Sequence, residues 1–311
     1  MNTSPIRPPG MSPQAAGADA RAGLSFGIAA YAWWGLAPLY FKAVAHVSPA
    51  EVLAHRIVWS LVLLAVLMRL KGRWPAARVA MTDRRVLLTL LVTTILIAGN
   101  WFAFIWAIAN HRLLQASLGY FINPLVNVLL GFLLLRERLR RPQVVSVLLA
   151  ALGVSCITVT RGGLPIIALV LAGTFAAYGL LRKLARVDAL VGLTVETMLL
   201  LPIALVYLTI LAMRGTIAFR SVSATTDLLL ALSGIITAVP LLWFTNAVRR
   251  LRLTTVGFLQ YIAPTLQFTL ATAAFGEPIS PAELLGFGLI WAGLAVYSLD
   301  SLAVARARTA A

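Results

Sequence analysis

Two charged residues lie inside long apolar runs: Arg56 in LAHRIVWSLVLLAV and Glu196 in LVGLTVETMLLLPIALV. If these runs cross a bilayer, each charge costs about 2.5–3.5 kcal/mol on insertion scales, so it needs a partner or a task. An embedded carboxylate can take up and release protons, which makes Glu196 the candidate proton-linked group; a structural role is the competing reading. Arg56 has a longer stem and can instead snorkel to an interface. His55 adjoins it, and an unperturbed imidazole titrates near pH ~6.5. A share in proton coupling and a simple packing role are both open for His55.

Prolines punctuate the other apolar runs at Pro38, Pro124, Pro202, Pro240 and Pro264. Each removes a backbone hydrogen bond and frees the carbonyl four residues earlier, that of Tyr120 for Pro124 and of Gln260 for Pro264. In a membrane such breaks persist where other groups re-satisfy the backbone, as they can around a wet cavity. A packing kink and a break that shapes a pathway are therefore alternatives.

Polar and aromatic side chains gather near these prolines. Tyr120, Asn123 and Asn127 surround Pro124, and Gln260, Tyr261 and Gln267 surround Pro264. Asn123 and Asn127 are four apart and share a helical face, which must meet either a cavity or another helix. Trp33, Trp34, Trp243 and Asn246 extend the set, as do Asn100, Trp101 and Trp106, although tryptophans at span ends also form interfacial belts. A wall of amides and aromatics suits an amphipathic or zwitterionic solute.

The elements that carry these residues follow from composition. The chain of 311 residues is 60% hydrophobic and 12% charged, against about 25% charged in soluble domains. At roughly 20 residues per crossing, it has room for about ten transmembrane helices. Apolar windows place them near 24–43, 52–69, 87–108, 116–135, 143–160, 164–181, 190–211, 228–248, 254–275 and 283–304. Residues 1–23, rich in Pro, Ala and Gly, read as a disordered cytoplasmic tail, and 305–311 as a second one. The single cysteine, Cys156, precludes an intrachain disulfide.

Orientation follows from the basic residues, since Lys and Arg accumulate on the cytoplasmic side. Of the 26, only Lys42, Arg112, Arg161, Arg214 and Arg220 fall outside when the N-terminus is placed inside, and Arg56 falls within a span. Both termini are therefore expected in the cytoplasm, in a multi-pass protein of the bacterial inner membrane whose main solvent is lipid. The net charge of +16 is accounted for by topology, and a nucleic-acid partner is not expected.

The chain also matches itself at an offset of 140. Arg112 pairs with Arg252, Ile122 with Ile262, Pro124 with Pro264, Glu137 with Glu277, and Gly153 with Gly293. Arg56 and Glu196 are partners at the same offset. Residues 24–163 and 164–304 thus read as two five-helix repeats. Because five is odd, the second copy enters the membrane from the opposite side, an inverted arrangement that recurs in secondary transporters. Inversion places Arg56 and Glu196 toward opposite faces, about 7 and 10 Å deep in a core of about 30 Å, which argues against a direct pair.

Several segments resemble the RarD branch of the EamA group within the drug/metabolite transporter superfamily. They include GIAAYAWWGLAPLYFKAV from Gly27, AHRIVWS from Ala54, NWFAFIWAIANHRLLQASLGYFINPLVNVLLG from Asn100 and TAVPLLWFTNAVRRLRLTTVGFLQYIAPTLQFTLA from Thr237. The resemblance implies an all-α membrane protein of ten transmembrane helices, formed by two inverted five-helix EamA-type repeats, with the first four helices of each around a central cavity and the fifth peripheral. It also implies transport of a small organic solute, such as a metabolite, an amino-acid-like compound or a drug. The family leans toward export, and its name is associated with chloramphenicol sensitivity.

An enzyme would need paired carboxylates, clustered metal ligands or an activated nucleophile, whereas His46, His55 and His111 are scattered and no phosphate-binding loop or GxSxG turn occurs. No cofactor or metal is expected. A channel or a non-transport membrane protein is the alternative, but no ring of charges or filter-like run marks a pore. In the last span, Gly286, Gly288, Ala292 and Gly293 would permit close helix contact, without indicating an oligomeric state.

Overall fold

The computed structural model describes residues 13–135, 139–185, 187–251 and 259–310. Among the described residues eleven α-helices follow in order: α1 (Pro13–Ala43), α2 (Pro49–Leu70), α3 (Trp74–Thr82), α4 (Arg84–Ala109), α5 (Leu113–Leu135), α6 (Arg141–Arg161), α7 (Ile166–Ala185), α8 (Ala189–Met213), α9 (Ala224–Arg250), α10 (Ile262–Thr269) and α11 (Pro281–Ala310). A π-helical turn, Leu270–Ala274, continues α10. By length and composition, α2, α4, α6, α8, α9 and α11 can each cross a membrane.

Local chemistry explains several helix starts. Ser48 accepts from Glu51 N ahead of Pro49 at the head of α2, Asp83 accepts from Arg85 N and Val86 N at the head of α4, and Asp188 caps α8 through Leu190 N and Val191 N. Such caps satisfy amides that have no partner within the helix. Three pairs of helices begin 140 residues apart: at Pro49 and Ala189, at Arg84 and Ala224, and at Arg141 and Pro281.

The structure differs from the expected elements in three places. Within the 70–86 connection Ala77 and Ala80 are three apart and buried against Met68, Leu90, Val191 and Val195, so this basic segment forms α3. The first helix begins at Pro13 rather than at 24. The chain turns at Gln260–Tyr261, which puts Pro264 in the first turn of α10. There its missing N–H costs no helical hydrogen bond, whereas Pro124 stands inside the continuous helix α5.

The described helices divide into two compact units, each drawing on both halves of the chain. One holds 37–112 and 177–242, and its core runs between α2, α3, α4, α8 and α9. Met68, Leu90 and Val195 form one buried cluster, and Leu64, Leu193 and Ala238 another.

The other unit holds 1–36, 113–176 and 243–311. In it α6 and α11 pack along a seam of glycines. A Cβ on Gly153 would come within 2.5 Å of Gly286 O, and one on Gly293 within 2.8 Å of Ser146 O. Gly286 and Gly293 therefore serve a contact within the chain, while Gly288 faces open space.

Candidate functional site

The site is built on the facing surfaces of α7, α8 and α4. Glu196, in the interior of α8, is 1% exposed. Its carboxylate accepts from Thr93 Oγ1 of α4 at 2.6 Å and from the Tyr178 hydroxyl of α7 at 3.2 Å. Its cationic neighbour is Arg182, also on α7, whose Nε stands 3.7 Å from Glu196 Oε1. Tyr178 and Arg182 are four apart, as are Gly192 and Glu196, so each pair occupies one helical face. Gly192 makes room for the arginine, because a Cβ there would overlap the guanidinium.

A buried carboxylate with one cation and two neutral donors is held in place whether ionised or protonated. Ionised, it accepts from Thr93 and Tyr178 and faces the charge of Arg182; protonated, it keeps acceptor capacity and gains a donor. This arrangement suits a group that exchanges a proton.

Arg182, which the sequence places with the cytoplasmic loop cations, belongs to the last turns of α7 with a side chain only 13% exposed. Thr93, Tyr178 and Gly192 were not singled out either. The two spacings of four on apolar helices, with a tyrosine and arginine on one and a glycine and glutamate on the other, are the signal that would have found them.

Arg56 takes different partners in the same unit. Its Nε donates to Thr237 Oγ1 of α9 at 2.7 Å, and its guanidinium lies 4.2 Å from the Trp101 ring centroid. Side chains of α9 and α4 thus hold the Arg56 guanidinium. His55 is buried beside Phe219, ring centroids 5.0 Å apart, with Nε2 3.9 Å from Glu51 Oε1. Glu51 in turn accepts from Ala218 N at 2.7 Å, tying the 214–223 connection to α2.

The remaining candidates lie in the unit that contains α5 and α10. Trp33 and Trp243 meet edge to face at 5.5 Å. Trp34 contacts Tyr31 at 5.4 Å and Phe244 at 5.7 Å, and its carbonyl accepts from Gln267 Nε2 at 3.2 Å. Gln267 is buried and its Oε1 has no hydrogen-bond partner among the described residues.

Asn123 donates to Ala172 O of α7 at 3.1 Å, a bond between helices. The side chain of Asn127 lies outside the described residues. Tyr120 stands edge-on to Phe175, and Asn246 accepts from Arg250 within α9. Gln260 and Tyr261 form the turn that leads into α10. The structure thus joins Trp33 to Trp243 and Trp34 to Gln267, while Asn123 and Asn246 take up helix-to-helix and within-helix bonds.

Comparison with known proteins agrees with this architecture. The model of the EamA-like transporter family matches residues 21–159. An uncharacterized transporter of Vibrio cholerae is 48% identical over 91% of this chain and 94% of its own, and Protein RarD of Escherichia coli is 46% identical over 91% and 95%. The chain is a RarD-like member of the EamA-like transporter family.

A crystal structure 20% identical to it, covering 90% of this chain and 98% of the other, superposes with a TM-score of 0.57 and shares the fold. This RarD-like chain is accordingly a multi-pass membrane transporter.

Proposed function

We propose that the protein is a secondary transporter that moves small organic solutes across the inner membrane by alternating access, with Glu196 as its proton-linked carboxylate. The observation that carries the reading is Glu196 itself, 1% exposed in the interior of an apolar helix and held by Thr93, Tyr178 and Arg182. A carboxylate in that setting marks a proton or substrate pathway more often than a packing site.

Two inverted five-helix repeats, 24–163 and 164–304, supply the mechanical basis. Helix starts at intervals of 140 support them, as do the unit boundaries at 36/37 and 176/177, which stand at that same interval. Exchanging the conformations of two such halves converts an outward-open state into an inward-open one. The surplus of basic residues on one side favours cytoplasmic termini even with Arg182 withdrawn from the loops. Trp33, Trp34, Trp243 and Gln267 offer aromatic faces and an amide oxygen, which suit amphipathic metabolites, amino-acid-like compounds or drugs, moved outward.

The test is flux in proteoliposomes for amino acids, amphipathic metabolites and chloramphenicol, with and without a proton gradient. Gradient-driven flux that Glu196→Gln abolishes is the expected result. Unaltered gradient-driven flux in that variant would return Glu196 to a structural role.

A further inference from the structure

Arg182 is an under-satisfied guanidinium. It carries five N–H donors, yet Nε stands 3.7 Å from Glu196 Oε1, Nη2 stands 3.4 Å from the main-chain oxygen of Asp188, and Nη1 is buried without a hydrogen-bond partner among the described residues. Charge-assisted N–H···O bonds are shorter, about 2.7–2.9 Å. Glu196 is tied down independently by Thr93 and Tyr178. The carboxylate therefore has anchors without Arg182, whereas the guanidinium is held inward by that carboxylate's charge, by the Tyr178 hydroxyl and by the space over Gly192.

A second carboxylate lies on the solvent side of Arg182. Asp188 caps α8 and meets Arg73 at 3.6 Å. Side-chain exposure falls along the series from Arg73 (46%) through Asp188 (24%) and Arg182 (13%) to Glu196 (1%). These four residues form a row of alternating charges running from the surface to the buried acid.

The groups that face Glu196 are Arg182 and Tyr178 from α7 and Thr93 from α4. From α2 and α3, which also pack on α8, come the apolar Met68, Ala77 and Ala80, with Arg73 at the head of α3 engaged by Asp188.

From this geometry we propose that Arg182 is a movable latch, a positioning residue that sits beside Glu196 while the carboxylate is ionised and withdraws toward Asp188 when Glu196 takes up a proton. Protons reach Glu196 from the Asp188 end of α8. Protonation converts the carboxylate to a neutral acid and cancels the attraction that draws the guanidinium inward. The contact between α7 and α8 thus depends on the state of one proton. The inference rests on the proton-linked reading of Glu196 and adds to it the residue that governs the exchange.

The test needs no transported solute. N,N′-dicyclohexylcarbodiimide enters membranes and modifies carboxyls in their protonated form, and its adduct on Glu196 is read by peptide mass spectrometry of the purified full-length protein. An opposite charge within about 4–6 Å favours the ionised form by about tenfold or more. Arg182→Gln is therefore expected to label about tenfold faster than the parent at neutral pH. Gly192→Ala, which displaces the guanidinium without removing its charge, should also label faster, and Arg182→Lys should fall between. Asp188→Asn, which keeps a capping side chain, removes the charge that draws the latch outward and should slow labelling.

Parent-like labelling in both Arg182→Gln and Gly192→Ala, each confirmed as folded by its melting curve, would overturn the latch. Absence of labelling in every form between pH 5 and 8 would overturn the latch together with proton uptake at Glu196. Proton-linked flux combined with parent-like labelling of Arg182→Gln would remove the latch and leave the carrier reading intact. The predicted labelling pattern without flux of any tested solute would leave the latch standing.

Discussion

Thr93 of α4 and Glu196 of α8 are joined by a hydrogen bond of 2.6 Å between buried side chains. The offset of 140 relates Glu196 to Arg56, and Arg56 is bound in a parallel way, to Thr237 of α9 at 2.7 Å. The helices that supply the two threonines, α4 and α9, themselves begin 140 residues apart. Each embedded charge is therefore secured by a hydroxyl from the other half of the chain.

Thr93→Val tests that bond with nearly unchanged volume. Losing a hydrogen bond to a buried charged group costs about 1.5–3 kcal/mol. The variant should melt below the parent in detergent and lose most gradient-driven flux. An unchanged melting curve and unchanged flux would remove Thr93 from the site.

Arg56 and Glu196 should behave differently despite their related positions. Arg56 stacks over Trp101 at 4.2 Å and donates to Thr237, and a desolvated cation–π contact contributes about 2 kcal/mol. Arg56→Ala is expected to lower the melting midpoint, while Arg56→Lys keeps the charge and gradient-driven flux. Loss of coupling in a well-folded Arg56→Lys would place Arg56 in the proton pathway.

Glu277 caps α5, accepting from Leu113 N at 2.6 Å and from Leu114 N at 2.8 Å. Its carboxylate satisfies two amides that have no partner within the helix and sits at the positive end of the helix dipole. Glu277→Ala should destabilise by about 1–3 kcal/mol, and Glu277→Gln by less, both read as melting shifts. A neutral Glu277→Ala would show that water replaces the cap.

The α6–α11 seam predicts a contrast between glycines. Gly153→Val places atoms where Gly286 O already lies, and overpacking costs about 1–3 kcal/mol. Gly288→Val meets open space and should melt like the parent. Equal behaviour of the two variants would contradict the seam.

How much was legible in the sequence depended on how far each signal stood out from an apolar background. Glu196 did, because a lone carboxylate in a run of Leu and Val has few neutral readings. Arg182 did not: near the end of α7, beside Lys183, it reads as a loop cation until the fold turns it inward onto Gly192. Thr93 is one of several threonines in α4, and nothing in its own segment distinguishes it before α8 lies against it.

The helix α3 was hidden by Pro75 and by the basic residues around it, and only the spacing of Ala77 and Ala80 betrays a buried face. Pro264 is expected within a span, but the turn at Gln260–Tyr261 brings it to a helix start, where its missing N–H costs no helical hydrogen bond. The family, by contrast, was readable from long contiguous segments, because relatives share them over nearly the whole chain.

The most direct test of the central claim is counterflow in proteoliposomes with no ion gradient, using a solute that the flux screen has identified. Vesicles preloaded with unlabelled solute are diluted into a trace of the labelled form, and internal label is followed with time. A carrier working by alternating access exchanges one for the other, so label should transiently rise above its equilibrium level, and should do so in Glu196→Gln as well, since exchange needs no proton gradient. A monotonic approach to equilibrium without overshoot, in parent and variant alike, is the behaviour of a pore and would contradict the account.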